Sequence, residues 1–221
     1  MLFHEWSMKR ILAGIKKQTR RILVPQPTFK SLDGETDGDY EAVIMDDGTF
    51  GFCLKRDHGM GVSDWYKECP YGYASEVYNG DSLYTRETHQ FFERENGEDC
   101  IRYKVDGLEV PIPNNEEAGN YVVGKLDTGK WRPSIFQPKW AARTKLQLLE
   151  VRIERVQDIT EEDAKAEGAD NDHSVHWPDD DDPGYMQDTY RRNFATVWEK
   201  LNGPRGFGWD SNCWVWVLRW K

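Results

Sequence analysis

Apolar positions set the first element. Met8, Ile11, Leu12 and Ile15 recur at i, i+3, i+4 and i+7, one stripe of an amphipathic helix, with Ser7 as its expected N-cap. From Thr19 to Val24 the pattern becomes β-prone, and Pro25 and Pro27 end it. The bursts Glu41–Met45 and Phe50–Leu54 flank Asp46-Asp47-Gly48, which predicts a hairpin within an irregular β region spanning Ser31–Asp81. Ser82–Arg86 alternates as a strand, and Asn96–Gly129 reads as loop-rich. Trp131–Trp140 contains Pro133 and Pro138 and predicts an ordered, non-helical segment pinned by its aromatic rings. In Leu146–Val156, Leu149, Val151 and Ile153 fall on one face, and Glu150, Arg152 and Glu154 on a wet one. Thr160–Gly168 has a capping-box-like start and a terminal glycine, so it predicts a short helix. A second helix over Met186–Leu201 presents Tyr190, Phe194, Val197, Trp198 and Leu201, and Trp214–Trp220 closes as a strand. The order α, several β, α, α, β, with no internal repeat, predicts a compact α+β, barrel-like domain.

Composition narrows the class. The 221 residues include ten tryptophans and 38% hydrophobic residues, enough for a real core and unlike a disordered chain. No run approaches the roughly 18 apolar residues of a membrane span. The start also lacks a signal-peptide h-region, so no membrane association and a cytoplasmic location are expected. Cys53, Cys69, Cys100 and Cys213 are scattered without a CxxC pair, and with His58 or His89 they match no zinc module, so neither metal nor cofactor is expected. The net charge of −10 argues at first against a nucleic-acid partner. That charge, however, sits in Thr160–Tyr190, which holds eleven acids and one lysine, leaving the remainder neutral. The run Asp179–Asp182, with His173 and His176 nearby, reads as a solvated acidic loop. Lys9–Val24, by contrast, carries six basic residues and no acid.

Five separated blocks then carry a resemblance: ILAGIKKQTRR, ECPYG followed by GDSLYTRET, WRPSIFQPKWAAR, VRIERVQDITEEDAKAEG and LNGPRGFGWDSNCWVWVL. Together they resemble the ASCH-domain proteins carried by phages and prophages, which are similar to PUA-like β-barrels. The resemblance implies a single domain over residues 1–221, a mixed β-barrel with flanking helices. Two inserted loop-rich segments, at about 31–67 and 88–130, match the family poorly. The family is read as RNA-binding or nucleic-acid-processing, and its small members include an amidohydrolase that deacetylates N4-acetylcytidine with a Lys, a Thr and a Glu. Those residues fall here on Lys16, Thr19 and Glu167. This chain is about twice as long as the compact enzymes, so substrate identity does not carry over with the motif.

Lys16 and Thr19 are three apart, so a helix continuing through Thr19 would project both from one face. The resulting expectation is Thr19 as nucleophile, Lys16 as base with a pKa depressed by Lys17, Arg20 and Arg21, and Glu167 as proton shuttle. Lys17, Arg20, Arg21, Arg86, Lys139 and Arg143 are the expected phosphate contacts. Trp140 reads either as core or as a stacking face for an unpaired base. The expected ligand is RNA, a nucleotide or a modified nucleoside. The alternatives are a ribonuclease of the same family and a non-catalytic phage protein that binds a host protein.

Overall fold

The computed structural model describes residues 3–24, 26, 40–44, 50–54, 65–66, 82–123, 130–171 and 189–221. The protein is mixed α+β, and every strand pairing among the described residues is antiparallel. No helix among the described residues is long and apolar enough to cross a membrane. The chain divides into two compact units, the first formed by Met1–Ile15 with Ser82–Gln147 and the second by Lys16–Asp81 with Leu148–Lys221.

The first unit opens with α1 (Glu5–Leu12), which buries Met8 and Ile11 as the stripe requires. Leu12, the last helical residue, and Ile15, which lies past the helix end, are exposed. Gly14 adopts φ 69°, a left-handed conformation that favours glycine, and the amides of Gly14 and Ile15 fold back onto Ile11 and Arg10. The N-cap is His4, not Ser7, and it makes no side-chain capping bond. Strand β5 (Ser82–Tyr84) pairs with the first residues of β9 (Lys145–Arg155).

Most of the expected loop-rich stretch is ordered as a meander of β6 (His89–Glu93), β7 (Asp99–Tyr103) and β8 (Glu109–Pro111). It is followed by α2 (Glu116–Val122). Asn115 caps α2 by accepting the Ala118 amide at 2.9 Å, and Glu116 and Glu117 occupy the positive first turn. Phe91, Ile101, Tyr103, Val122 and Ala141 form the core of this unit, and Tyr121 and Trp140 pack on it. The Trp131–Trp140 segment is ordered as expected, but it contains the 3-10 turn Ser134–Phe136 and leads into a second, Lys139–Ala141.

The second unit is organised around β10 (Trp214–Trp220), which lies between β1 (Gln18–Ile22) and the later part of β9. Six of the seven β10 residues are buried, as a central strand with both faces covered should be. Helix α3 (Glu161–Ala166) is capped by Thr160, whose hydroxyl accepts the Asp163 amide at 3.1 Å. Helix α4 (Thr189–Asn202) buries Phe194 and Trp198 against Val156, Ile159, Val215 and Val217. Leu201, expected on that face, is exposed.

Strand β9 departs from the simple alternation. Leu146 and Leu148 are buried, then Val151 and Ile153, while Leu149 is 42% exposed. A register shift falls there: Trp220 faces Leu148 and Arg219 faces Glu150, so Leu149 is the extra residue of a bulge. The expected hairpin is present as β2 (Tyr40–Ile44) paired with β3 (Phe50–Leu54), and β3 also pairs with β4 (Trp65–Tyr66). Its Asp46–Gly48 turn lies outside the described residues, as do His173, His176 and Asp179–Asp182.

Candidate functional site

The site in the second unit grows out of the junction before β1. The Lys17 amide donates to the Ala166 carbonyl at 2.8 Å, and the Lys17 carbonyl accepts the Trp220 amide at 3.0 Å. These bonds hold the end of α3 beside Lys16. The buried Lys16 ammonium then reaches both the Glu167 carboxylate Oε2 and the Glu167 carbonyl, each at 2.6 Å. Lys17 itself points to solvent.

Two residues into β1, Arg20 is likewise buried and donates to three carboxylates. Its Nη1 lies 3.1 Å from Glu167 Oε1, its Nη2 lies 2.9 Å from Asp163 Oδ2, and its Nε lies 2.9 Å from Glu154 Oε1. Arg152 bonds Glu154 and Glu150 at 2.9 and 3.0 Å and also reaches Asp163. The Gln18 amide, oriented to satisfy both of its ends, donates to Asp163 Oδ1 at 3.2 Å and accepts from Arg20 Nη1 at 2.7 Å. Lys16, Arg20 and Arg152 are thus interleaved with Glu150, Glu154, Asp163 and Glu167 in one network.

Burial pulls the Lys16 pKa below the ordinary 10.5. The charge and hydrogen bond of Glu167 work in the opposite direction, and Arg21 and Arg20 add to the lowering. The expected direction holds, but its main cause is burial, and Lys17 is not among the causes. For Arg152, burial disfavours the charged form, yet Glu154, Asp163 and Glu150 outweigh it and hold the pKa above the usual guanidinium value.

Thr19 is placed differently. Helix α1 ends at Leu12 and residues 18–22 are a strand, so the helical juxtaposition of Lys16 with Thr19 does not occur. Alternation along β1 puts Gln18 and Arg20 on the Glu167 side and sends Thr19 and Arg21 to the other face, opposite Leu218 and Trp216. Thr19 is buried and Arg21 half-buried. The structure therefore brings Lys16, Arg20 and Glu167 together and leaves the Thr19 hydroxyl on the reverse of the strand.

Glu154, Arg152, Asp163 and Gln18 complete the network and were not singled out by the sequence. The Glu150-Arg152-Glu154 face was expected to be wet. Its alternation of acid and base was the available signal, since an alternating charged face suits a buried cation such as Arg20 as well as it suits water.

The remaining candidates belong to the first unit. Arg86 donates to the Ile135 carbonyl at 3.0 Å. Arg143 is committed internally: it grips Glu87 through two bonds of 2.9 and 2.6 Å, reaches Asp106 at 2.7 Å, and lies 4.2 Å from the Tyr103 ring centroid. Tyr103 donates to the Ala141 carbonyl at 2.7 Å, and burial pushes its pKa to about 12. Lys139 and Trp140 do lie together, on the wall of one cavity.

Searches of protein-family models, curated proteins and solved structures found no match to this chain.

Proposed function

We propose that this chain is a PUA-like protein of the ASCH type that binds a nucleoside or nucleotide, free or within RNA, at the Lys16–Arg20–Glu167 centre. We also propose that it hydrolyses an amide such as that of N4-acetylcytidine there. The mixed α+β make-up with antiparallel sheets is compatible with a barrel-like fold. The observation that carries the reading is the buried contact of 2.6 Å between Lys16 Nζ and Glu167 Oε2, made by residues 151 positions apart.

That contact holds the two forms amide hydrolysis needs. Transfer of one proton from the ammonium to the carboxylate leaves a neutral amine, able to act as base, beside a carboxylic acid, able to protonate the departing N4 amine. Burial lowers the Lys16 pKa and so eases the loss of that proton. The amine of Lys16 takes a proton from the nucleophile as its oxygen attacks the acyl carbon. The C–N bond breaks as Glu167 protonates the cytidine amine, and acetic acid leaves, with Lys16 and Glu167 returned to the ionised pair. The alternation of β1 favours water over Thr19 Oγ as that nucleophile. Because both charged groups are almost fully buried, the ligand must displace part of their contact to enter.

The test is release of cytidine from N4-acetylcytidine by the purified chain, followed chromatographically. Lys16→Met and Glu167→Gln are each expected to lower the rate by about 10²–10⁴-fold, whereas Thr19→Ala keeps most of it. Loss of the rate in Thr19→Ala would restore the hydroxyl as nucleophile. Cleavage of RNA without deacetylation would move the reading to a ribonuclease. If neither reaction occurs and single-stranded RNA fails to bind at low salt, the reading falls to a protein-partner module.

A further inference from the structure

The first unit contains a cavity of about 400 Å³ lined by Tyr84, Glu117, Lys139, Trp140, Ala142 and Lys145. That volume is within the range of small-molecule sites, about 300–1,000 Å³. Two cations converge on it. Lys139 Nζ lies 4.7 Å and Lys145 Nζ 5.5 Å from the centroid of the Tyr84 ring. Neither ammonium has a carboxylate partner among the described residues, and the single acid on the wall, Glu117, has no ion-pair partner among them either. Two like charges held at one ring repel each other, and an anion between them relieves that repulsion.

The aromatic wall is fixed in place. Trp140 packs on Phe91 and Tyr121, with ring centroids at 6.1 and 6.3 Å, and Tyr121 donates through its hydroxyl to the Phe136 carbonyl. A ligand gains contact area there without ordering a mobile ring. Glu117 adds a carboxylate acceptor, the group that pairs with an exocyclic base amine such as cytosine N4.

We infer that this cavity binds a nucleotide with an amino-bearing base: its phosphate between Lys139 and Lys145, its base against the Tyr84–Trp140 wall, and its amine on Glu117. The inference rests on residues of the first unit alone and does not require the Lys16–Glu167 reading. Lys145 and Glu117 join Lys139 and Trp140 on this wall, whereas Arg143, an expected phosphate contact, is committed to Glu87 and Asp106.

Isothermal titration of the full chain at low salt with CMP, UMP, cytidine and inorganic phosphate tests it. CMP is expected to bind about tenfold more tightly than UMP, and both cytidine and phosphate alone more weakly than CMP. Glu117→Ala should bring CMP down to the UMP level. Lys139→Ala/Lys145→Ala should weaken CMP by at least about tenfold; both lysines are exposed, so a thermal melt matching the parent will show the fold intact. Absence of heat with CMP, equal binding of CMP and phosphate, or unchanged CMP affinity in the double-lysine variant would overturn the inference. CMP binding that disappears in Lys16→Met but survives in the double-lysine variant would place the nucleotide at the second unit's centre and overturn this site while sparing the earlier proposal. The reverse pattern, with no deacetylation, would spare this one.

Discussion

Glu167 receives two cations on its two oxygens, Lys16 on Oε2 and Arg20 on Oε1, where water has little access. Breaking a buried pair from one side strands the other charge, at a cost of about 3–5 kcal/mol. Glu167→Gln should therefore lower unfolding free energy by about 3 kcal/mol in a denaturant titration. The double variant Lys16→Met/Glu167→Gln should lose less than the sum of the singles, because it leaves no stranded ammonium.

The alkaline pH range separates two residues. Lys16 has a folded pKa below its unfolded value, so its contribution is fully present above about 10.5 and is lost as pH falls through the folded value. Tyr103 behaves in the opposite way. Its folded pKa of about 12 lies above the ordinary 10.0, so its contribution is present below 10.0 and is lost as pH rises through about 12. Stability measured against pH should rise less steeply towards 10.5 in Lys16→Met than in the parent, and fall less steeply above 10.0 in Tyr103→Phe. At this scale Lys16 and Glu167 were singled out only by the family resemblance, and they do meet in the structure. The sequence could not carry Glu154 or Asp163, because an acid on a strand face or in a helix's first turn reads as solvated until the cation it meets is known.

Among the elements, β9 shows where periodicity misleads. Counting by twos from Val151 and Ile153 reaches Leu149, but the bulge shifts the phase and buries Leu148 in its place. Leu149→Ser should accordingly change thermal stability by less than about 0.5 kcal/mol, while Val151→Ala costs about 2 kcal/mol. Equal losses would mean the bulge is absent. Helix α3 was readable because Thr160 and Gly168 punctuate it, and Gly168 does adopt φ 84°. The β6–β8 meander was not, since its strands are three to five residues long and are joined through Asn96–Gly97 and Asp106–Gly107, so turn residues dominate any window. Short strands of this kind are decided by the core they cover, here Phe91, Ile101 and Tyr103, which a local pattern does not contain.

At the scale of the whole molecule, each unit has its own core, centred on Phe91 in one and on Phe194, Trp198 and Val217 in the other. Phe91→Ala, a loss of about 3–5 kcal/mol of core packing, should reduce amide protection in β6–β8 while β10 keeps most of its own. Hydrogen exchange resolved by residue checks this, and uniform loss along the chain would show the two cores to be one cooperative system. The acidic segment that dominates the charge sum bears on the site through α3, whose Asp163 belongs to the ion network. Part of the chain's negative charge is therefore already neutralised by Arg20 and Arg152.

The position of β10 has a consequence for the way the chain is made. It pairs with β1 on one side and β9 on the other, yet it follows both in sequence. A ribosome makes β1 and then β9 before Trp214, so from the completion of β9 until β10 arrives both strands present open hydrogen-bonding edges without the partner that joins them. The nascent chain must hold those edges apart from each other and from neighbouring chains until seven residues, three of them valine or leucine, three tryptophan and one arginine, arrive to close the ladder. A premature stop just before Trp214 would therefore yield a sticky, chaperone-bound product rather than a shortened protein.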